Sequence, residues 1–243
     1  MPDIVAIIPA RYASMRFPGK VLADLLGKPV IQHVYERTSS AASVSHVYVA
    51  TDDERVERAV RDFGGEAVMT SPHHKSGTER VAEAVEFTGG DIIVNVQGDE
   101  PLIDPEVIDA VCLRLQGNGD IVCTTAAAPF TEQSVYEDPN AVKVVVDLRG
   151  KALYFSRSPL PFYRDREFGG AYLHVGIYCF RREFLERYAV LERTPLEKAE
   201  KLEQLRILEH GHKIGVVLTD YRSIGVDTED DLEKVRQLMK LRL

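Results

Sequence analysis

Ile4-Val5-Ala6-Ile7-Ile8-Pro9-Ala10-Arg11-Tyr12-Ala13-Ser14-Met15-Arg16-Phe17-Pro18-Gly19-Lys20 is the stretch on which the fold turns. Its opening run, Ile4 to Ile8, is continuously apolar, as expected of a strand buried on both faces of a parallel sheet. The turn at the carboxyl end of such a strand is where open α/β sheets bind ligands. Ala10, Ala13, Ser14 and Gly19 are small enough for backbone N–H groups to approach an anion, and Arg11, Arg16 and Lys20 add three cations. The combination reads as a triphosphate cradle. It matches neither G-x-x-x-x-G-K-[ST], because Val21 follows Lys20, nor G-x-G-x-x-G. Each cation taken singly is more at home in water; all three on one small-residue loop favour phosphate.

Outward from this loop the chain alternates strand and helix. Val30, Ile31, Val34 and Tyr35 form one apolar face of a helix begun at Pro29. Val47 to Ala50 is a second strand, and Thr51-Asp52-Asp53 caps a helix carrying Val56, Ala59, Val60 and Phe63 up to Gly64-Gly65. A short strand, Ala67 to Met69, leads through a polar loop to a helix capped by Thr78. Asp91 to Val96 is a further buried strand, after which Asp104 and Pro105 open a helix bearing Ile108, Val111, Cys112 and Leu115. Four βα units in succession predict a parallel, doubly wound sheet.

From Ile121 strands dominate: Ile121 to Ala126, Val142 to Asp147, Ala152 to Ser156 and Leu173 to Phe180. A hairpin turn is expected at Asp147-Leu148-Arg149-Gly150, and Pro159, Pro161 and Gly169-Gly170 mark an irregular excursion. This reads as an inserted antiparallel module. Arg182 to Tyr188 is a helix, Thr194 to Glu197 is a capping box opening a helix to about His210, Lys213 to Thr219 is a strand, and Thr228 caps the last helix.

Composition narrows the function. The net charge of −8 argues against a nucleic-acid partner. No apolar run reaches the roughly 20 residues that span a bilayer, and no basic segment precedes an apolar one at the start, so no membrane association and a cytoplasmic location are expected. Cys112, Cys123 and Cys179 are expected to be reduced core residues.

Two aspartates lie on the crevice side of the predicted sheet, Asp99 beyond a central strand and Asp227 just before the last helix. Mg²⁺ needs only one or two protein carboxylates when substrate phosphates complete its shell, so the pair suits a Mg²⁺-triphosphate; a turn or capping role for Asp227 stays equally open. Ser76-Gly77-Thr78 sits where backbone donors can read a base or ribose. Arg157 and His174 lie on strands of the later module, where a guanidinium can bind an acceptor's carboxylate in bidentate fashion.

Ile7-Ile8-Pro9-Ala10-Arg11, Phe17-Pro18-Gly19-Lys20, Ala50-Thr51-Asp52-Asp53, Ser76-Gly77-Thr78, Asn95-Val96-Gln97-Gly98-Asp99-Glu100-Pro101, Tyr154-Phe155-Ser156-Arg157, His174-Val175-Gly176-Ile177-Tyr178, Leu202-Glu203-Gln204-Leu205-Arg206 and Val226-Asp227-Thr228 follow one another along the chain. This ordered set resembles the 3-deoxy-manno-octulosonate cytidylyltransferase (CMP-Kdo synthetase) family from end to end. Glu79 departs from it, standing where the family pattern has Asp. The resemblance implies transfer of CMP from CTP to 3-deoxy-D-manno-octulosonate (Kdo), with release of pyrophosphate, for lipopolysaccharide synthesis. It also implies an α/β fold with a doubly wound, mostly parallel sheet of the nucleotide-diphospho-sugar transferase kind. Residues 1–243 would form one domain, with 128–180 inserted as a smaller antiparallel acceptor and dimerisation module. By the same resemblance Arg11, Lys20, Asp99 and Asp227 are catalytic, and Pro9, Ala10, Arg11, Lys20, Ser76 and Gly77 surround the nucleotide. Gln97, Arg157, His174, Tyr178, Glu203 and Gln204 contact Kdo, and Asp99 and Asp227 ligate Mg²⁺. A homodimer is expected through the Tyr154 to Tyr163 cluster. The rival expectations are a cytidylyltransferase for another acid sugar such as sialic acid, or for a non-sugar alcohol, and a catalytically silent CTP sensor.

Overall fold

The computed structural model describes residues 2–130, 132–164 and 171–241. The chain forms two compact units, one of Met1–Asp109 with Ser223–Leu243 and one of Ala110–Arg222.

In the first unit, β1 (Ile4–Pro9) is buried at every position but its last. It is followed by a small hairpin of β2 (Asp24–Leu25) and β3 (Lys28–Pro29), then α1 (Val30–Ser39), β4 (His46–Thr51), α2 (Glu54–Asp62), β5 (Glu66–Met69), α3 (Gly77–Ala84), β6 (Ile92–Asn95) and the start of α4 (Pro105–Gln116). Strand β1 pairs in parallel with both β4 and β6, and β4 pairs in parallel with β5, giving the order β6-β1-β4-β5. This is the parallel sheet that the βα alternation predicts. These four strands end on the same edge, so the loops after β1 and β6 emerge side by side.

The second unit is mixed. It contains β7 (Cys123–Pro129), α5 (Gln133–Glu137), β8 (Lys143–Val146), β9 (Ala152–Ser156), β10 (Ala171–Arg181), α6 (Arg182–Tyr188), α7 (Pro195–Glu200), α8 (Gln204–Glu209) and β11 (Ile214–Leu218). Strand β10 is antiparallel to both β7 and β8, β8 is antiparallel to β9, and β11 runs parallel to β7. The β8–β9 turn closes as expected, with Gly150 N–H donating to Asp147 O at 3.0 Å, Asp147 N–H donating to Lys151 O at 2.8 Å and Gly150 at φ +70°. The last helix, α9 (Glu229–Lys240), returns to the first unit, where Leu232 and Val235 pack with Leu25, Val30, Leu102 and Val226 in one apolar cluster.

Several expectations need correction. Ser76, not Thr78, caps α3: its Oγ accepts from Glu79 N–H at 3.2 Å, while Thr78 is buried. Thr194 to Glu197 does form a capping box, but the helix it opens ends at Glu200, because Lys201 takes a left-handed conformation (φ 56°) and α8 starts afresh. Pro29 is the residue before α1 and does not occupy its first turn. The β2–β3 hairpin and α5 carry too few residues to show a period. Gly169-Gly170 lies outside the described residues. All three cysteines are buried and free, as expected.

Candidate active site

The end of β1 and its loop, the loop before α3, the loop after β6 and the segment before α9 enclose a cavity of about 360 Å³, a size usual for small-molecule sites. Of the residues singled out in the sequence, Pro9, Ala10, Arg11, Lys20, Ser76, Gly77, Gln97, Asp99 and Asp227 all line it. Arg157, His174, Tyr178, Glu203 and Gln204 belong to the second unit.

The loop after β1 is shaped by close approach. Gly98 lies so near Pro9 that a Cβ on it would stand 2.8 Å from the Pro9 carbonyl oxygen, so only glycine lets the two loops meet. Gly19 adopts φ +73° and donates its N–H to Tyr12 O at 2.9 Å, while the Arg55 guanidinium lies 3.4 Å from the centre of the Tyr12 ring. These contacts give the cationic loop a fixed path. Beneath it, Val226 N–H donates to Asp99 O at 2.8 Å, which ties the two aspartate-bearing segments together across the chain.

The central feature is a converging ion group. Lys20 Nζ lies 2.6 Å from Asp99 Oδ2 and 2.7 Å from Asp227 Oδ1, and Arg16 donates to Asp227 Oδ2 at 2.8 Å. Burial pulls the Lys20 ammonium down, but attraction and hydrogen bonds from the two carboxylates outweigh it, so its pKa is raised. A cation is therefore held where two carboxylate oxygens point. Among the described residues no group of three or more His, Cys, Asp or Glu forms a metal cage. Two converging carboxylates are nonetheless the donor set that suits a hard divalent ion whose remaining ligands come from phosphate and water.

Two ionisable lining residues were not singled out as functional from the sequence. Arg80, only 4% exposed, donates to Thr70 Oγ1 at 2.5 Å and pairs with Asp52 at 3.2 Å. His74 pairs with Glu83. The available signal was Arg80 standing beside Val81 and one turn before Ala84, on the buried side of α3.

In the second unit, strand β10 shifts register between Val175 and Tyr178, and such a bulge re-aims side chains. His174 Nε2 contacts Thr125 Oγ1 at 2.9 Å, and that oxygen lies 2.7 Å from Ile177 O and 3.1 Å from Val175 O. A hydroxyl has one proton to give, so donation to Ile177 O leaves Nε2–H of His174 as the donor to Thr125. The ring packs edge-on against Phe155 and beside Tyr178. Burial pushes its pKa down to about 3 and raises that of Tyr178. Arg157 is pinned through Nε to Glu200 O (2.8 Å) and Nη1 to Pro139 O (3.0 Å), with Glu200 also accepting from Arg157 N–H and Ser156 Oγ. Gln204 is buried, and the Glu203 carbonyl accepts from Tyr188 Oη at 3.3 Å.

A parallel α/β sheet with a cationic loop and paired aspartates at its carboxyl edge defines a nucleotidyltransferase, and a family model described as cytidylyltransferase matches residues 5–214. The 3-deoxy-manno-octulosonate cytidylyltransferase of Geobacter sulfurreducens is 54% identical, covering 98% of this chain and 100% of the relative. That of Geobacter metallireducens is 55% identical, covering 96% of each. A solved structure of CMP:2-keto-3-deoxy-manno-octonic acid synthetase complexed with CTP superposes with a TM-score of 0.95 at 45% identity, covering 99% of this chain and 100% of that one. The chain belongs to the 3-deoxy-manno-octulosonate cytidylyltransferase family. A 4-diphosphocytidyl-2C-methyl-D-erythritol synthase from Anaerococcus prevotii, at 14% identity and a TM-score of 0.64, shares the fold.

Proposed function

We propose that this chain transfers CMP from CTP to Kdo and releases pyrophosphate. The observation that carries the chemistry is the convergence of Asp99 and Asp227 on one cation inside a cavity lined by Arg11, Arg16 and Lys20; the acceptor follows from the family.

In this reading the anomeric hydroxyl of Kdo attacks the α-phosphorus in line with departing pyrophosphate, and no protein nucleophile is needed. Catalysis rests on positioning and charge neutralisation. Arg11 and Lys20 hold the triphosphate and stabilise the charge that builds on the leaving group. Pro9, Ala10, Ser76 and Gly77 surround the cytidine. Asp99 and Asp227 hold Mg²⁺, which when bound lowers the pKa of the attacking hydroxyl and neutralises phosphate oxygen charge. Gln97, Arg157, His174, Tyr178, Glu203 and Gln204 receive Kdo, with Arg157 facing its carboxylate. Supporting that role, Nε and Nη1 of Arg157 are fixed by backbone carbonyls while Nη2 has no partner among the described residues.

The wider setting is a cytoplasmic homodimer in which residues 128–180 act as the acceptor and dimerisation module. No helix among the described residues is long and apolar enough to cross a membrane, the three cysteines are free thiols, and Phe162, 90% exposed, gives the module an apolar surface. A dimeric mass by light scattering supports this assembly; a monomer at micromolar concentration removes it. The reaction itself is tested by pyrophosphate release from CTP and Mg²⁺ with Kdo, and separately with sialic acid. Turnover with Kdo alone is expected. Turnover with sialic acid alone overturns the acceptor assignment, and silence with both overturns the reading.

A further inference from the structure

Lys20 and a divalent ion need the same place. The point 2.6 Å from Asp99 Oδ2 and 2.7 Å from Asp227 Oδ1 is held by the Lys20 ammonium, and it is also the point where two converging carboxylates would grip a hard cation. The carboxylates cannot easily part to serve both, because the Val226 N–H to Asp99 O bond links their backbones and Arg16 braces Asp227 from its other oxygen. An ammonium and a divalent ion a few ångströms apart repel strongly even when the surrounding protein screens them. The ammonium must therefore leave if a metal enters. A lysine can do this at modest cost, since its charge rides on a flexible four-carbon stem. Once displaced it needs another anion, and within this cavity the triphosphate of the nucleotide is the one available.

We propose that Lys20 is an exchangeable counter-ion, clasped by Asp99 and Asp227 until a nucleoside triphosphate draws it away and opens the pair to a divalent cation. This rests on the nucleotide and metal assignments above. It adds an ordering: metal affinity at the aspartates is low until nucleotide is present. Because coupling between two ligands is reciprocal, metal tightens nucleotide binding by the same factor, and couplings of this kind are usually about 5- to 150-fold.

The test is Mn²⁺ binding by electron paramagnetic resonance to the full chain without nucleotide, in wild type, Lys20→Met and Asp99→Asn. Lys20→Met is expected to bind Mn²⁺ at least about tenfold more tightly than wild type, within the usual span of such couplings. Asp99→Asn is expected to lose binding. Equal or weaker binding by Lys20→Met overturns the exchange. If Lys20→Met fails in that way while Asp99→Asn loses the Mn²⁺ that wild type binds with a non-hydrolysable CTP analogue, the metal site stands and the exchange alone falls. If Asp99→Asn binds like wild type with that analogue, the metal assignment falls and takes the exchange with it. Removing Lys20 leaves two carboxylates facing one another and lowers stability, so thermal unfolding gives a second reading: Mn²⁺ should raise the Tm of Lys20→Met more than that of wild type. An equal or smaller rise also overturns the exchange.

Discussion

The cavity of the first unit and the strand face around His174 in the second unit are built from different materials. The cavity is assembled from loops, and its order comes from charge: Lys20, Arg16, Asp99 and Asp227 hold one another across as many as 211 positions of chain. The face around His174 is built mainly on strands, and its order comes from burial: Phe155 meets the His174 ring edge-on, His174 leads to Tyr178, Tyr178 stacks on Phe180, and Phe180 tilts against Tyr188, around a histidine kept neutral. Charge clusters with flexible side chains can rearrange around an incoming phosphate. A packed aromatic face cannot, and so is suited to recognising a shape. Substitutions should therefore harm chemistry in the first region, and stability together with acceptor affinity in the second.

The sharpest version of this contrast is Asp99→Asn. With the side chain partly exposed at 29%, the loss of its charge should leave Tm within a few degrees of wild type while turnover falls roughly a thousandfold or more, as when a group aimed at transition-state charge is removed. Steady-state kinetics beside a melting curve checks both halves. Turnover within tenfold of wild type would take Asp99 out of the chemistry.

Arg206 is the counterpart in the second unit. Its guanidinium, 2% exposed, meets Glu197 at 2.8 Å and 2.5 Å and lies over Tyr188. Without it the Glu197 carboxylate, 7% exposed, keeps among the described residues only the half-exposed Arg193 at 3.8 Å as an ion pair, so Arg206→Met should cost about 3 kcal/mol, read from urea unfolding. Adding Glu197→Leu should recover part of the loss, because the buried carboxylate is then gone, although the capping box at Thr194 goes with it and Arg193 loses its partner. Should the double variant be as unstable as the single one, lost packing rather than the stranded charge dominates.

Arg157 tests where the two regions' duties divide. Arg157→Ala should raise KM for Kdo roughly tenfold or more, the scale of a charge-assisted hydrogen bond, and leave KM for CTP within a factor of about two. Equal weakening of both substrates would place Arg157 in a structural role, through its bonds to Glu200 and Pro139.

The same contrast explains what the sequence could reveal. The parallel half was legible because β1, β4 and β6 are apolar runs followed by helices with a clear 3.6-residue period. Arg11, Lys20, Asp99 and Asp227 were legible as types of chemistry at strand ends, but their convergence was not: no spacing connects position 20 to position 227, and only the ordered family pattern did so. Arg80 was missed because a helical arginine ordinarily faces water, and its partners Asp52 and Thr70 lie on other segments. The division of α7 from α8 was hidden because Lys201 does not look like a helix breaker.

His174 separates the regions by pH. Its folded pKa, pushed down to about 3, lies below the ordinary 6.5, so the unfolded chain takes up the proton first. Stability from this group is fully present well above pH 6.5 and is lost as pH falls through 6.5 toward 3, by about 1.4 kcal/mol at pH 5.5. His174→Gln removes the titration, so its stability should fall less steeply than that of wild type between pH 7 and 5. Parallel curves would mean that the ring gains solvent or a counter-charge in solution.

The smallest effect concerns two left-handed residues, one in each unit. Lys201 (φ 56°) is exposed, whereas Leu26 (φ 55°) packs against the cluster of Leu25, Val30 and Leu102. A left-handed conformation costs an ordinary residue roughly 1–2 kcal/mol, of which glycine's greater unfolded-state freedom returns about half. Lys201→Gly should thus stabilise the chain by up to about 1 kcal/mol, because no packing is lost with the side chain. Leu26→Gly should be neutral or destabilising, since relief of the same strain is set against apolar area returned to water. If both variants gained equally, the contact of Leu26 with the cluster would contribute nothing, and the turn between β2 and β3 would be held by its backbone alone.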